Sequence, residues 1–325
     1  MRKYLLLFLA AAISGSVLPA AHAADWPDRP IRMIVPYPPG GATDVAARLY
    51  AQQMGDYLKQ TVVVENKAGA GGEVGAEAVA RATPDGYTVL MGALGSLAIN
   101  ASLLEKQNYS FVKDFKGVSV AITMPMALAV NDAVPAKSVQ ALIALAKSRP
   151  GKLTMGSAGN GSSQHMAGEL FKQITGTDIL HVPYRGSGPA VTDLLGGQID
   201  MVIDTLPALL PQLASGKIRI LGVTTDTRAP ALPDVKTLAE QGVPGYAVAT
   251  TYALLAPTGT PAQAIEKMSM AMQQAGALPQ LREGAAKLGA NATPTTPAET
   301  DKVIASEIDK WAAVVHRSVT RTAKK

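Results

Sequence analysis

Three loops of this sequence combine the features that bind a small anion through the protein backbone. The first loop, residues 37–44, carries Gly40 and Gly41 between a short apolar run and a stretch with helical apolar spacing. Glycines let another group approach the backbone, and the first N–H groups of a helix have no partner within it. The second loop, 157–165, and the third loop, 184–188, place glycines and hydroxyl side chains before predicted helices in the same way. This chemistry suits the binding of a carboxylate.

Each loop also has a plainer interpretation, which is ordinary helix capping. Thr43 or Asp44 can cap the helix that follows the first loop. Arg185 is either a clamp for the ligand or a solvated side chain. Asp204, at the end of a predicted strand, either orients a donor group or caps a helix that begins near Pro207. The occurrence of three such loops in one chain favours the binding interpretation.

Several catalytic and cofactor classes lack their motifs. The chain has no cysteine, which excludes disulfides, thiolate metal sites and cysteine nucleophiles. It has no Gly-x-Ser-x-Gly elbow, and Ser163 with His165 is too weak a nucleophile–base pattern to count. His165 and Glu169 share a helix face without a third metal ligand nearby. The glycines of residues 66–75 miss the dinucleotide-binding register. We therefore expect no enzyme activity, no metal and no cofactor.

The N-terminus has the pattern of a signal peptide. Arg2 and Lys3 precede an apolar run over 4–17, and Ala21-His22-Ala23 fits a small-x-small cleavage rule. We expect cleavage after Ala23, so that residues 1–23 are removed and the mature chain is exported to the periplasm. An uncleaved membrane anchor is the alternative. Without Arg2 and Lys3, the remaining 28 basic and 25 acidic side chains give a formal charge of +3, which is too mild to indicate nucleic acid binding.

Strands alternate with helices in units of about 30 residues, which predicts an α/β fold with parallel sheets and helices on both faces. The three loops then lie at the carboxyl ends of strands, where ligands bind in such folds. Three further helices are predicted after Pro257. Strands are predicted over 31–35, 62–64, 87–91, 153–155, 179–182, 199–203 and 218–223, and the late helices over 261–275, 278–288 and 297–315.

An ordered series of short motifs covers nearly all of the mature chain. Because of this series, the chain resembles the Bug-type solute receptors of tripartite tricarboxylate transporters. The motifs are Trp26-Pro27-x-Arg29-Pro30-Ile31, Pro39-Gly40-Gly41-x-x-Asp44, Asn66-x-x-Gly69-Ala70-Gly71-Gly72, Pro84-Asp85-Gly86-Tyr87-Thr88, Gly156-Ser157-x-Gly159-x-Gly161-Ser162-Ser163-x-His165, His181-Val182-Pro183-Tyr184-Arg185-Gly186, Gly196-Gly197-x-x-Asp200 and Leu255-Ala256-Pro257-x-Gly259-Thr260-Pro261.

The resemblance implies a type II periplasmic binding-protein fold, in which two lobes are joined by two crossing segments with a ligand cleft between them. One lobe would comprise 24–124 and 250–325, and the other 125–249, with crossings near 123–130 and 248–254. Members of the family hold a ligand carboxylate with the first loop and the Gly-Ser loop. Tyr37 stands where the family commonly has phenylalanine, which adds a hydroxyl to the pocket.

On this basis we expect a non-enzymatic, monomeric periplasmic receptor that captures a small carboxylate for the membrane subunits of a transporter. A ligand-sensing subunit for a membrane kinase and, less favoured by the motifs, a hydrolase using the same cleft are the alternatives. The expected ligand-binding residues are Tyr37, Gly40, Gly41, Thr43, Asp44, Ser96, Ser157, Asn160, Ser162, Ser163, His165, Tyr184, Arg185, Gly186 and Asp204.

Overall fold

The structure is a computed structural model that describes residues 26–103 and 107–322, with side chains up to His316. The predicted signal peptide and its cleavage site lie outside the described residues. None of the helices within the described ranges is long and apolar enough to cross a membrane.

The described residues contain ten β-strands. Several begin or end within a few residues of the predicted bounds, and two, at 31–35 and 218–223, coincide with them. The strands are β1 (Ile31–Val35), β2 (Val62–Asn66), β3 (Thr88–Ala93), β4 (Phe115–Asn131), β5 (Thr154–Ser157), β6 (Leu180–Pro183), β7 (Met201–Thr205), β8 (Ile218–Val223), β9 (Ala249–Pro257) and β10 (Asn291–Ala292).

Helices connect and cover these strands. All three helices predicted after Pro257 are present. The α-helices are α1 (Ala42–Leu58), α2 (Glu73–Ala80), α3 (Leu94–Leu103), α4 (Val139–Ser148), α5 (Ser163–Thr175), α6 (Ser187–Leu195), α7 (Leu206–Leu209), α8 (Ala262–Ala277), α9 (Pro279–Lys287) and α10 (Pro297–Thr322).

The strands form one curled, mixed sheet in the order β2-β1-β3-β9-β4-β7-β5-β6, and β8 and β10 also pair with β4. The prediction of parallel sheets is therefore correct for only part of this sheet. β1 pairs in parallel with β2 and β3, and β5 with β6 and β7, but β4, β8, β9 and β10 pair in antiparallel directions. The local strand–helix pattern does not show these partners, because they are distant in the sequence.

β4 connects the two ends of the sheet. Its residues 115–125 pair with β9, and residues 126–131 pair with β7 and β8. The change of partner lies within 123–130, the first of the two segments at which the resemblance implies a crossing. β4 and β9 thus connect the β1–β3 end of the sheet to the β5–β7 end.

Apolar side chains are buried on both faces of the sheet. Met33 and Ile34 are neighbours on β1 and point into different core clusters, as expected from the alternation of a strand. Tyr50 on α1 belongs to the same cluster as Met33 and donates a hydrogen bond to the Ala121 carbonyl (2.7 Å). Trp311 on α10 is fully buried in the cluster that contains Ile34. This packing fixes the strand ends from which the three loops emerge.

Candidate functional site

The first loop leaves β1 and is folded by the carboxylate of Asp44. Asp44 is buried and accepts hydrogen bonds from Gly40 N–H (2.9 Å), Arg48 Nε (3.0 Å) and Asn66 Nδ2 (2.9 Å). Burial raises the pKa of Asp44, but these hydrogen bonds and the charge of Arg48 outweigh it and hold the pKa below its ordinary value. Gly40 adopts a φ of +82°, a conformation that favours glycine. Both oxygens of Asp44 thus serve the loop itself.

The start of α1 consequently keeps its backbone donors available. The N-cap residue is Gly41, which has no side chain to cap the helix. The first N–H groups of a helix have no carbonyl partner within it, and those at Ala42 and Thr43 belong to this set. A Cβ added at Gly41 would meet only the Pro38 carbonyl, at 3.7 Å, so the loop has room beside this residue. This geometry suits a carboxylate.

The second loop uses most of its polar side chains to hold its own shape. Ser157 Oγ lies 2.6 Å from His181 Nε2 and accepts a hydrogen bond from Gly159 N–H. Ser162 caps α5 by accepting from His165 N–H, and it donates to the Gly159 carbonyl (2.7 Å). These side chains therefore position the loop. Asn160 is exposed at its tip.

His165 and His181 stack face to face beneath the second loop. Their ring centroids are 3.9 Å apart, with 18° between the planes. Gly161 N–H donates to His165 Nδ1 (3.2 Å), which requires that nitrogen to be unprotonated. Burial lowers the pKa of both rings, and the facing His165 and nearby Lys172 help to lower that of His181 to about 3. The pair is therefore neutral at neutral pH.

Ser96 and Ser163 bring α3 to the start of α5. Their hydroxyl oxygens are 3.3 Å apart, and either can donate. Ser163 is buried and Ser96 half-buried. The two predicted residues are thus close together although 67 positions separate them in the sequence.

In the third loop, the tyrosine and arginine have different environments. The Tyr184 hydroxyl donates to Asp193 Oδ2 (2.7 Å) on α6 and so braces the loop. Arg185 is exposed and forms no hydrogen bond or ion pair within the described part of the chain. Gly186, with a φ of +115°, precedes α6 and provides no side-chain cap, so α6 also begins with uncapped backbone donors.

Asp204 joins the second and third loops. It lies on β7, one residue before the strand ends, and is only 1% exposed. Its Oδ1 accepts hydrogen bonds from Gln164 Nε2 (3.1 Å), Ser187 Oγ (2.9 Å) and Thr205 N–H (2.7 Å). Its Oδ2 is buried and has no hydrogen-bond partner among the described residues. We call these four residues the Asp204 cluster.

The capping interpretation of Asp204 does not describe its contacts. The N-cap of α7 is Thr205, and no side chain caps that helix. Burial raises the pKa of Asp204, against the effect of its hydrogen-bond donors. Gln164 and Ser187 were not among the predicted site residues. Their positions in the second and third loops were the only sequence feature that pointed to them.

Tyr252 on β9 is close enough to both Tyr37 of the first loop and Asp204 to interact with them electrostatically. The Tyr37 hydroxyl is buried, and burial raises its pKa to about 12, although the neighbouring Ser96 hydroxyl acts to lower it. Burial also raises the pKa of Tyr252 on β9, and the proximity of Tyr37 and Asp204 raises it further. Thr43, in the first loop, lies beside Tyr252. Tyr252 was not among the predicted residues, because it lies in an apolar strand far from the three loops.

Metal ligation finds no support in the described residues, since no group of three His, Asp or Glu side chains there could hold an ion. His165 Nε2 is 3.8 Å from Glu169, which is also paired with Lys172. The arrangement instead offers backbone donors at two helix starts, hydroxyl groups, and one buried carboxylate oxygen.

Comparison with known proteins identifies the family. The sequence model of one protein family, the tripartite tricarboxylate transporter family receptors, matches residues 46–319. The chain belongs to this family. Protein BugT of Bordetella pertussis is 39% identical over 316 residues, which is 97% of each chain.

Solved structures of relatives share the fold over most of the chain. Rpa4515 of R. palustris with adipate is 36% identical, with a TM-score of 0.80, over 90% of this chain and 98% of that one. MatC of Rhodopseudomonas palustris with bound malate is 33% identical, with a TM-score of 0.78, over 89% and 99%. The periplasmic binding protein BugD is 33% identical, with a TM-score of 0.77, over 90% and 98%. The expected periplasmic binding-protein fold and the family are thus confirmed.

Proposed function

We propose that the protein is a periplasmic receptor that captures a small carboxylate for the membrane subunits of a tripartite tricarboxylate transporter. The observation that carries this proposal is the first loop, where Asp44 is fully engaged while the start of α1 keeps uncapped N–H groups. A carboxylate accepts such donors well, at about 1.5–3 kcal/mol for each charge-assisted bond. Relatives with bound adipate and malate support the same class of ligand.

The predicted ligand residues divide into three roles in this proposal. Gly41 and Thr43 present the backbone to one carboxylate, together with Ser96 and Ser163, whereas Gly40 shapes the loop because its N–H donates to Asp44. Asp44, Ser157, Ser162, His165 and Tyr184 shape the loops, because their polar atoms are already bonded there. Tyr37, Asn160, Arg185, Gly186 and Asp204 face or flank the rest of the ligand.

The two lobes, 24–124 with 250–325 and 125–249, would close over the ligand. The contact between Ser96 and Ser163 joins these two parts directly. Ligand binding would favour the closed arrangement, and the closed monomer would be the form that the transporter recognises. Export to the periplasm would follow removal of residues 1–23.

The rival functions have less support. Ser157 and His181 form a serine–histidine pair, but Ser157 is 1% exposed and the pKa of His181 is lowered to about 3, which makes the imidazole a poor base. The hydrolase alternative is therefore disfavoured. Neither the site nor the relatives favour a sensor for a membrane kinase.

A thermal-shift screen of C2–C6 carboxylic acids tests the proposed function. An acid present at 100 times its dissociation constant adds about 2.7 kcal/mol of stability and raises the melting temperature. We expect at least one acid in the screen to do so. The absence of any shift across the whole series would contradict the proposal.

A further inference from the structure

We propose that the free oxygen of Asp204 accepts a hydrogen bond from the ligand, so that this receptor selects carboxylates that also carry an ammonium or hydroxyl group. This inference rests on the proposed function and specifies its ligand class. Ammonium and hydroxyl groups are both hydrogen-bond donors, which is the property that Asp204 would recognise. A comparison of matched amino acids and hydroxy acids distinguishes between the two groups.

The two oxygens of Asp204 have different environments. Oδ1 accepts hydrogen bonds from Gln164, Ser187 and the Thr205 backbone. Oδ2 is equally buried but has no partner among the described residues. Buried polar atoms in folded proteins almost always have a hydrogen-bond partner, and an unpaired one calls for an explanation. A donor brought by the ligand supplies the missing partner.

The position of Asp204 makes a ligand contact feasible. It lies at the carboxyl end of β7, where the second and third loops meet, and ligands of α/β sheets bind beyond such strand ends. Tyr252 lies beside Thr43 of the first loop and is close enough to Asp204 for the two groups to interact electrostatically. One ligand can therefore place its carboxylate on the first loop and its donor group toward Asp204.

The described residues around Asp204 provide hydrogen-bond donors but no countercharge. The groups bonded to Oδ1 are all donors and favour the ionised carboxylate, whereas burial has the larger effect and raises the pKa of Asp204. Asp204 forms no ion pair in the described part of the chain, so its charge has no cationic partner until a ligand provides one. A ligand ammonium supplies both a donor and a compensating charge, a hydroxyl supplies a donor alone, and an unsubstituted chain supplies neither.

The experiment compares matched acids by calorimetric titration of the whole mature protein. One set is L-alanine, L-lactate and propionate, and the other is L-aspartate, L-malate and succinate. In the set that binds, we expect the amino acid to bind at least ten times more tightly than the unsubstituted acid, with the hydroxy acid between them. Asp204→Asn replaces Oδ2 by an NH₂ donor while keeping Oδ1 as an acceptor. It should reduce the preference for the amino acid to less than threefold.

Asp234→Asn is the matched control, because it removes an exposed carboxylate from the same part of the chain. It should leave the ranking unchanged. The inference is overturned if the wild-type protein binds the unsubstituted acid as tightly as the amino acid, a result that does not depend on the folding of any variant. It is also overturned if Asp204→Asn folds and keeps the full preference, because a group other than Asp204 would then recognise the ammonium or hydroxyl group.

The inference and the proposed function fail in different ways. Binding of unsubstituted acids without any preference overturns the role of Asp204 and leaves the carboxylate receptor intact. A lack of binding by both sets and by the whole C2–C6 series overturns both.

Discussion

The first loop and the Asp204 cluster differ in the atoms that they offer a ligand. The first loop presents backbone N–H groups. Both carboxylate oxygens of Asp44, its one acidic residue, already accept hydrogen bonds from nearby residues. The Asp204 cluster presents a side-chain oxygen that no described residue satisfies. Backbone N–H groups can bind any carboxylate. A buried carboxylate oxygen, in contrast, binds only a ligand that places a hydrogen-bond donor against it. In the proposed receptor, general affinity and ligand discrimination would thus reside in two separate regions.

Gly41→Val should have the largest effect on binding. Gly41 has an extended φ of −77°, which valine can adopt, so the fold should remain. The branched side chain would occupy the space through which a carboxylate reaches the start of α1. Loss of two charge-assisted bonds, at about 1.5–3 kcal/mol each, corresponds to a loss of affinity of more than about 100-fold.

Calorimetry with the acid that gives the largest thermal shift measures this loss. Gly41→Ala, whose Cβ would meet only the Pro38 carbonyl at 3.7 Å, should show a smaller loss, and Ala231→Val on an exposed loop should show none. Unchanged affinity in Gly41→Val would show that the first loop does not bind the ligand.

Asp44→Ala should weaken both the fold and the binding. The substitution leaves Gly40 N–H and the side chains of Arg48 and Asn66 without their shared acceptor. We expect a loss of about 2–3 kcal/mol in the free energy of unfolding and a weaker complex, because the loop is no longer held. Urea denaturation and calorimetry measure the two effects. A variant with normal stability would contradict the loop-forming role.

Acid should destabilise the second loop through the stacked histidines. The native pKa of His181 is about 3 against 6.5 for the free group, so the unfolded chain binds more protons between these values. Stability is therefore full above pH 6.5 and falls as the pH drops toward 3. Glu169, Lys172 and His165 are the titratable groups nearby.

Because His181 is partly exposed, the slope should stay below the roughly 1.4 kcal/mol per pH unit of an unscreened group. Urea denaturation from pH 7 to 4 measures the slope in the wild-type protein and in His181→Gln, which should flatten it. Equal slopes in the two proteins would show that the stacked histidines do not cause the pH dependence.

Arg185→Ala should have the smallest effect. Its guanidinium is exposed and unpaired in the described structure, so its attraction for an anion is screened by solvent. We expect a two- to fivefold loss of affinity, within the ~0.2–1 kcal/mol of an exposed ion pair, that disappears at high salt. A much larger loss for diacids than for monoacids would instead place Arg185 against a second carboxylate.

The sequence predicts the local parts of this molecule well and the distant contacts poorly. The strand before the first loop and the helix after it follow from apolar spacing and from Gly40 and Gly41, which are all local signals. Helix α3 was not predicted, because Gly95 and Ser96 follow β3 closely and such small residues are typical of a loop. The antiparallel pairing of β4 with β9 was missed because the partners are more than a hundred residues apart.

The same distinction holds within the site. Gly41 and Ser162 could be placed at helix starts from their neighbours alone. The contacts of Asp204 come from the starts of α5 and α6 as well as from the end of β7. Tyr252 on β9 lies beside Thr43 and interacts electrostatically with Asp204. Such a cluster is created by tertiary packing, so no sequence window contains it.

The most direct test of the central claim compares an acid with its own primary amide. The two have nearly the same shape, but only the acid carries the charge that backbone donors at a helix start favour. Calorimetric titration should use the acid with the largest thermal shift in the C2–C6 series and the corresponding amide. We expect the acid to bind at least about 10-fold more tightly, which is the effect of one charge-assisted interaction. Equal affinities would contradict a cleft built to bind a carboxylate.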